Sequence, residues 1–124
     1  MGELREIAIT KLATVTGIDM NAVAATNLFT VPEGKTCIIT HVVIRNASAE
    51  LDTADFGFGY AAGEADVIAA STLGTGLTAA TLYRVLEAAN GAIKGVAAEI
   101  LKIGVDVAQA TAATMDVDVF GYLF

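Results

Sequence analysis

Period two dominates the last quarter of this chain. Leu101, Ile103, Val105 and Val107 alternate with Lys102, Gly104 and Asp106, and a second alternating run, "TMDVDVFGYLF", fills 114–124. Side chains repeat every two residues only when the backbone is extended, so both runs predict half-buried strands, about 99–108 and 115–124. "AQATAAT" between them is short and built of small residues, which predicts an antiparallel hairpin. In the final run Met115, Val117, Val119, Gly121 and Leu123 form one face. Asp116, Asp118, Phe120, Tyr122 and Phe124 form the other, acidic at its start and aromatic at its end.

Other strand signals follow in the same style. "LFTVPEGKTCIITHVVIRN" holds an extended Phe29–Val31, a turn in which Pro32 and Gly34 supply the chemistry, and a long β-branched run over 36–46. Cys37, Ile39 and Val43 stand against Ile38, Val42 and Ile44, so both faces are apolar and the run predicts a central strand covered on both sides. "EIAITKLATVT" (about 5–16) and the glycine-interleaved "DFGFGYA" (about 55–61) are further strands. Asn90-Gly91 is a strong hairpin signal and predicts strands near 81–88 and 92–97. The stretch 64–71, with acids leading it, is the best place for one short helix. The expectation is an all-β antiparallel sandwich, jelly-roll-like, of seven or eight strands with at most one short helix, as a single domain over residues 1–124.

Composition narrows the function classes. The 124 residues are 55% hydrophobic and only 17% charged, against about a quarter charged in an ordinary globular domain. So little charge suits a chain that hides surface in an assembly. The net charge of −7 and the scatter of its seven cations argue against nucleic acid or an anionic membrane as partner. No apolar stretch approaches the ~18 residues of a spanning helix, and no signal peptide opens "MGELREIAIT", so synthesis in a reducing cytoplasm is expected. One cysteine, Cys37, excludes an intrachain disulfide.

Candidate chemistry is sparse. Asp116 and Asp118 share a strand face, with Asp106 expected on the neighbouring strand. They are the only basis for a carboxylate hydrolase or a weak cation site, and a solvated strand face explains them more simply. His41 is the sole histidine, so a multi-histidine metal centre is impossible. Placed four apart on one strand face, Cys37 and His41 would be about 13 Å apart, too far for a catalytic pair. "GFGYAA" at 57–62 matches a dinucleotide pattern in letters only, because no apolar strand precedes it and Phe58 and Tyr60 crowd the phosphate position. "GKT" at 34–36 lacks the first glycine of a phosphate loop. No catalytic residue, cofactor or metal is therefore expected.

The order "LFTVPEGKTCIITHVVIRNAS", "FGFGYA", "GLTAATLYRVLEAANGAIKG" and "ILKIGVDVAQATAATMDVDVFGYLF" resembles small β-sandwich virion proteins of tailed bacteriophages, from about Leu28 onward. The resemblance implies a capsid decoration (cement) or head-accessory protein, made in the host cytoplasm and carried on the virion surface. It would be homotrimeric and bound to the major capsid protein or another virion protein. The absence of a fibrous extension favours a compact decoration protein over a fibre. The residues expected at a subunit or capsid interface are Phe120, Tyr122, Phe124, Phe58 and Tyr60. Two alternatives stand beside this: a tail or head-fibre module recognising host glycan through Tyr60, Tyr83 or the loop near 61–76, and a hydrolase using Asp106, Asp116 and Asp118.

Overall fold

The computed structural model describes residues 9–78, 80–88 and 94–124. It contains nine strands: β1 (Thr10–Asp19), β2 (Ala25–Thr30), β3 (Thr36–Arg45), β4 (Asp55–Gly59), β5 (Ile68–Ser71), β6 (Tyr83–Glu87), β7 (Lys94–Val96), β8 (Ile100–Val107) and β9 (Thr114–Leu123). Among the described residues there is no helix. One sheet runs β1-β9-β3-β6 with β7 also on β3, and the other runs β2-β8-β4-β5. Every pairing is antiparallel.

The pairings are nested. β4 pairs β5, β3 pairs β6, β2 pairs β8 and β1 pairs β9. The chain is one long antiparallel hairpin rolled up so that its successive pairs alternate between two facing sheets, which is the jelly-roll arrangement. The all-β sandwich read from the sequence is thus the fold, with nine strands among the described residues where seven or eight were expected.

Two expected hairpins are corners instead. Residues 108–113 carry the chain from β8 in one sheet to β9 in the other, and the Pro32–Lys35 turn (Lys35 N–H to Pro32 O, 3.1 Å) does the same between β2 and β3. The reason lies in the core. Leu101, Ile103 and Val105 of β8 and Met115, Val117 and Val119 of β9 are all buried in one hydrophobic core, which the two strands enter from different sheets. A buried polar side chain holds the 108–113 corner. Gln109 accepts from the Thr53 and Ala54 N–H groups (3.1 and 3.0 Å) and donates to Asp52 (2.9 Å), while its own N–H reaches Met20 O (2.7 Å).

The expected helix over 64–71 is not formed. Asp66 Oδ1 accepts from the Tyr60 and Ala61 N–H groups (2.8 and 3.3 Å), closing a loop, and Val67 and Ile68 then enter the core with Ile68 opening β5. The acid that would have favoured a helix N-terminus caps that loop instead. The first strand runs on to Asp19, three residues past its expected end, while the expected residues 5–8 lie outside the described residues; it has register shifts at Leu12 and near Gly17, whose φ of +65° suits a glycine bulge. The expected strand near 81–88 is β6, shorter than anticipated, and the described part of the one near 92–97 is β7, with residues 92–93 outside the described residues. Asn90 and Gly91 lie outside the described residues.

β3 is central, as expected, but its faces differ from a strict alternation. A register shift between Ile39 and His41 adds a residue at Thr40. Cys37, Ile39, Val42 and Ile44 therefore all point inward, each fully buried. Ile38, His41, Val43 and Arg45 occupy the outer side and are only half-buried. The core also takes Phe56 and Phe58, edge to face at 6.1 Å. Each such fully buried side chain contributes about 1.5–3 kcal/mol.

Candidate functional site

The outer face of the five-stranded sheet is set by register. Reading across β1, β9, β3 and β6, one row is Lys11, Phe120, His41 and Glu87, and the next is Thr14, Asp118, Val43 and Val85. Beyond that row, Asp116, Arg45 and Tyr83 are neighbours, and in the opposite direction Tyr122 lies beside Ile38. Tyr83 is 69% exposed, Val85 and Val96 are 50% exposed, and Phe124 is 49% exposed. Phe120, Tyr122, Ile38 and Val43 are half-buried. The result is a broad apolar face with no layer of this chain's described residues packed over it.

One corner of the face is polar and tightly organised. Arg45 donates through Nε and Nη2 to the two oxygens of Asp118 (2.8 and 3.3 Å), and Thr14 Oγ1 donates to Asp118 as well (2.7 Å). Asp116 takes the Gly17 N–H at the β1 bulge (2.9 Å), Asn46 Nδ2 (3.0 Å) and the Arg45 guanidinium (3.6 Å). The Arg45 hydrogen bond holds the Asp118 carboxyl below its ordinary value, and Asp118 in turn raises the guanidinium. This clamp spans three strands and ties the edge strand β1 to β9 and β3.

The clamp corrects the reading of Asp116 and Asp118 as a wetted strand face. They are 7% and 8% exposed and engaged with Arg45. Asp106 is exposed on β8 in the opposite sheet. The three carboxylates of the hydrolase alternative are not brought together, and among the described residues no group of acids, His or Cys has metal-binding geometry. His41 stacks on Phe120 and its Nδ1 meets Thr40 Oγ1 at 3.0 Å. Because of the extra residue at Thr40, Cys37 and His41 lie on opposite faces rather than on the one face expected.

The five aromatic residues expected at an interface separate into two groups. Phe120, Tyr122 and Phe124 follow one another on the outer face. Phe58 is fully buried in the core. Tyr60 is half-buried, with its ring over Gly95 of β7 and its hydroxyl buried beside the Cys37 thiol. Burial raises both the phenol and the thiol. Tyr60 therefore fastens the loop after β4 to β3 and β7, which also removes one of the rings that glycan recognition would use. Sequence reasoning left Ile38, Val43, Val85 and Val96 out of the site. The signal for the first two was the second apolar face of β3.

The outer side of the other sheet is different. Where side chains at Gly59 and Gly104 would stand, Asp66 and Glu64 of the loop after β4 lie against the backbone. That sheet is partly covered by its own loop, whereas among the described residues the outer face of the five-stranded sheet leaves Tyr83, Val85, Val96 and Phe124 about half exposed or more.

The fold is similar to that of a chain in the capsid asymmetric unit of cyanophage Pam1. The TM-score is 0.58 at 20% identity, over 94% of this chain and 84% of that one. A chain in the acid-stable capsid of Helicobacter pylori bacteriophage KHP30 overlaps at TM-score 0.46 and 10% identity, over 94% of this chain and 95% of that one. No family model matches the sequence, and no curated protein does. A jelly-roll sandwich with one bare apolar sheet face is the class of protein these observations define.

Proposed function

We propose that this chain is a structural virion protein of the capsid-decoration or head-accessory kind, carried on the capsid surface. It acts by burial rather than chemistry, meeting a neighbouring virion subunit through the outer face of its five-stranded sheet. The observation that supports this most strongly is that face: Phe120, Tyr122 and Phe124 in sequence along β9, widened by Ile38, Val43, Val85 and Tyr83. Apolar patches of this extent mark interaction surfaces. At ~25 cal/mol per Å², covering even half of three aromatic rings contributes several kcal/mol per subunit, and repetition around a shell multiplies the effect. The likeness to a phage capsid chain and the sequence resemblance to virion proteins support the setting. Rings of three copies are what that resemblance implies.

The test is co-sedimentation of purified protein with capsid shells of the phage that carries it. Wild type is expected to load on the shells. Phe120→Ser with Tyr122→Ser is expected to stay in solution while still folding cooperatively, with its unfolding temperature lowered by roughly 5–10 °C. Equal loading of the two proteins would remove the face from the account. Point variants serve better than deletion of 120–124, because those residues also pair with β1 and β3.

A further inference from the structure

Two rows of charge on this face change sign across the middle of the sheet, and that arrangement indicates what covers it. In the row across the sheet, Lys11 is on β1 at one edge and Glu87 on β6 at the other, with Phe120 and His41 between them. Nearer the polar corner the order is Asp116 on β9 and then Arg45 on β3. A line along the strands, midway between β9 and β3, therefore exchanges a cation for an acid on these two rows; on the row between them it sets Asp118, already held by Arg45 and Thr14, against Val43. Among the described residues both ion pairs within the protomer belong to Arg45, so Lys11 and Glu87 have none there.

A two-fold axis along that line turns one copy face to face with another. It sets Lys11 over the partner's Glu87 and Glu87 over the partner's Lys11. The Asp116–Arg45 pair meets its own reverse. The aromatic side of each face, Phe120 with Tyr122, comes over His41 and Ile38 of the other copy. A two-fold about the perpendicular in-plane direction would instead stack Lys11 on Lys11 and Glu87 on Glu87. Sheets pack in this way about 10 Å apart with strands about 30° from parallel, and two-fold contacts of one patch with itself are the commonest kind between identical chains. Three strands of ten residues, with β6 and β7 following one another along the outer edge of β3, present roughly 600 Å² of footprint per copy at strand spacings of about 4.8 Å, somewhat below the ~800 Å² per partner of a standard stable interface.

We infer that the outer face of the five-stranded sheet takes a second copy of this chain, in a face-to-face two-fold pair keyed by Lys11 and Glu87. The inference rests on reading that face as an assembly surface and names its occupant. The pair joins copies two by two.

Charge exchange tests it. Sedimentation velocity of wild type is expected to show self-association, with Lys11→Glu alone and Glu87→Lys alone each about tenfold weaker or more, since like charges then oppose each other twice per pair. An equimolar mixture of the two variants is expected to regain the pair as a heterodimer, because both contacts become opposite in sign. The chain carrying both changes is expected to regain it as well. A mixture no tighter than its components overturns the two-fold pair. If that happens while Phe120→Ser with Tyr122→Ser still loses the capsid, the face binds another virion protein and only this inference fails. If those serine variants also load normally, the face reading itself fails. Thermal unfolding of each variant separates lost contact from lost fold, and Glu87→Lys, at an exposed edge, is the variant that leaves the fold intact.

Discussion

Phe120 lies flat against His41, with ring centroids 4.7 Å apart and planes within 8° of parallel. The two rings sit on paired residues of β9 and β3, outside the core. Stacked pairs of this kind contribute about 0.5–1.5 kcal/mol, a small part of the fold's stability. Phe120→Ser should therefore cost roughly 1 kcal/mol in denaturant unfolding yet weaken assembly severely. Equal effects on both would mean that Phe120 is a folding residue.

The clamp around Asp118 should matter more to the fold. Asp118→Ala removes three hydrogen bonds and leaves Arg45 with the longer contact to Asp116. Hydrogen bonds to charged groups contribute about 1.5–3 kcal/mol, so a loss of about 2 kcal/mol is expected in urea unfolding. Hydrogen exchange should rise first in β1, the edge strand that the clamp ties down.

The same group gives the fold an acid dependence of known sign. Arg45 lowers the Asp118 carboxyl in the folded state below its ordinary 3.8. The stabilisation is therefore complete above that ordinary value and is lost as pH falls through the lowered one. The melting-temperature gap between wild type and Asp118→Asn should be flat from about pH 7 to 5 and shrink below about pH 4. A gap that widens on acidification contradicts the clamp.

Gln109 should be as sensitive a polar residue as Asp118. Its side chain serves two backbone N–H groups and Asp52 at the corner between the sheets. Gln109→Ala leaves the buried Ala54 N–H without an acceptor and frees the Thr53 N–H and Asp52, and a loss of about 2 kcal/mol is expected by thermal or urea unfolding.

Gly121→Ala should be destabilising for a different reason. A Cβ at this position meets the Ile38 carbonyl oxygen, part of the backbone of β3 beside the extra residue at Thr40. Backbone cannot turn aside as a flexible side chain can, so a loss of about 2 kcal/mol or more is expected in the same unfolding measurement.

Much of the architecture was legible in the sequence because alternation is a local signal. β3, β8 and β9 sit within two residues of where their apolar periods place them, and "PEG" is a turn. What alternation does not encode is which strands pair. Residues 108–113 read as a hairpin loop, yet they cross between sheets, so that β8 and β9 turn their apolar sides into one core from different sheets. The register shift at Thr40 was likewise invisible: it shows only when β3 is laid against β9, and it decides that His41 faces outward. Asp116 and Asp118 looked solvated because their partners Thr14, Arg45 and Asn46 are far away along the chain. The aromatic end of β9 was found correctly as an outer face, while Phe58, with the same aromatic-glycine look, belongs to the core.

The most direct test of the account is a cryo-electron microscopy map of the native assembly at side-chain resolution. The account predicts protein density from a neighbouring subunit packed against Phe120, Tyr122 and Phe124, with the polar corner at Arg45 on its rim. A map in which the outer face of the five-stranded sheet looks into bulk solvent, with all subunit contacts made elsewhere, would contradict it.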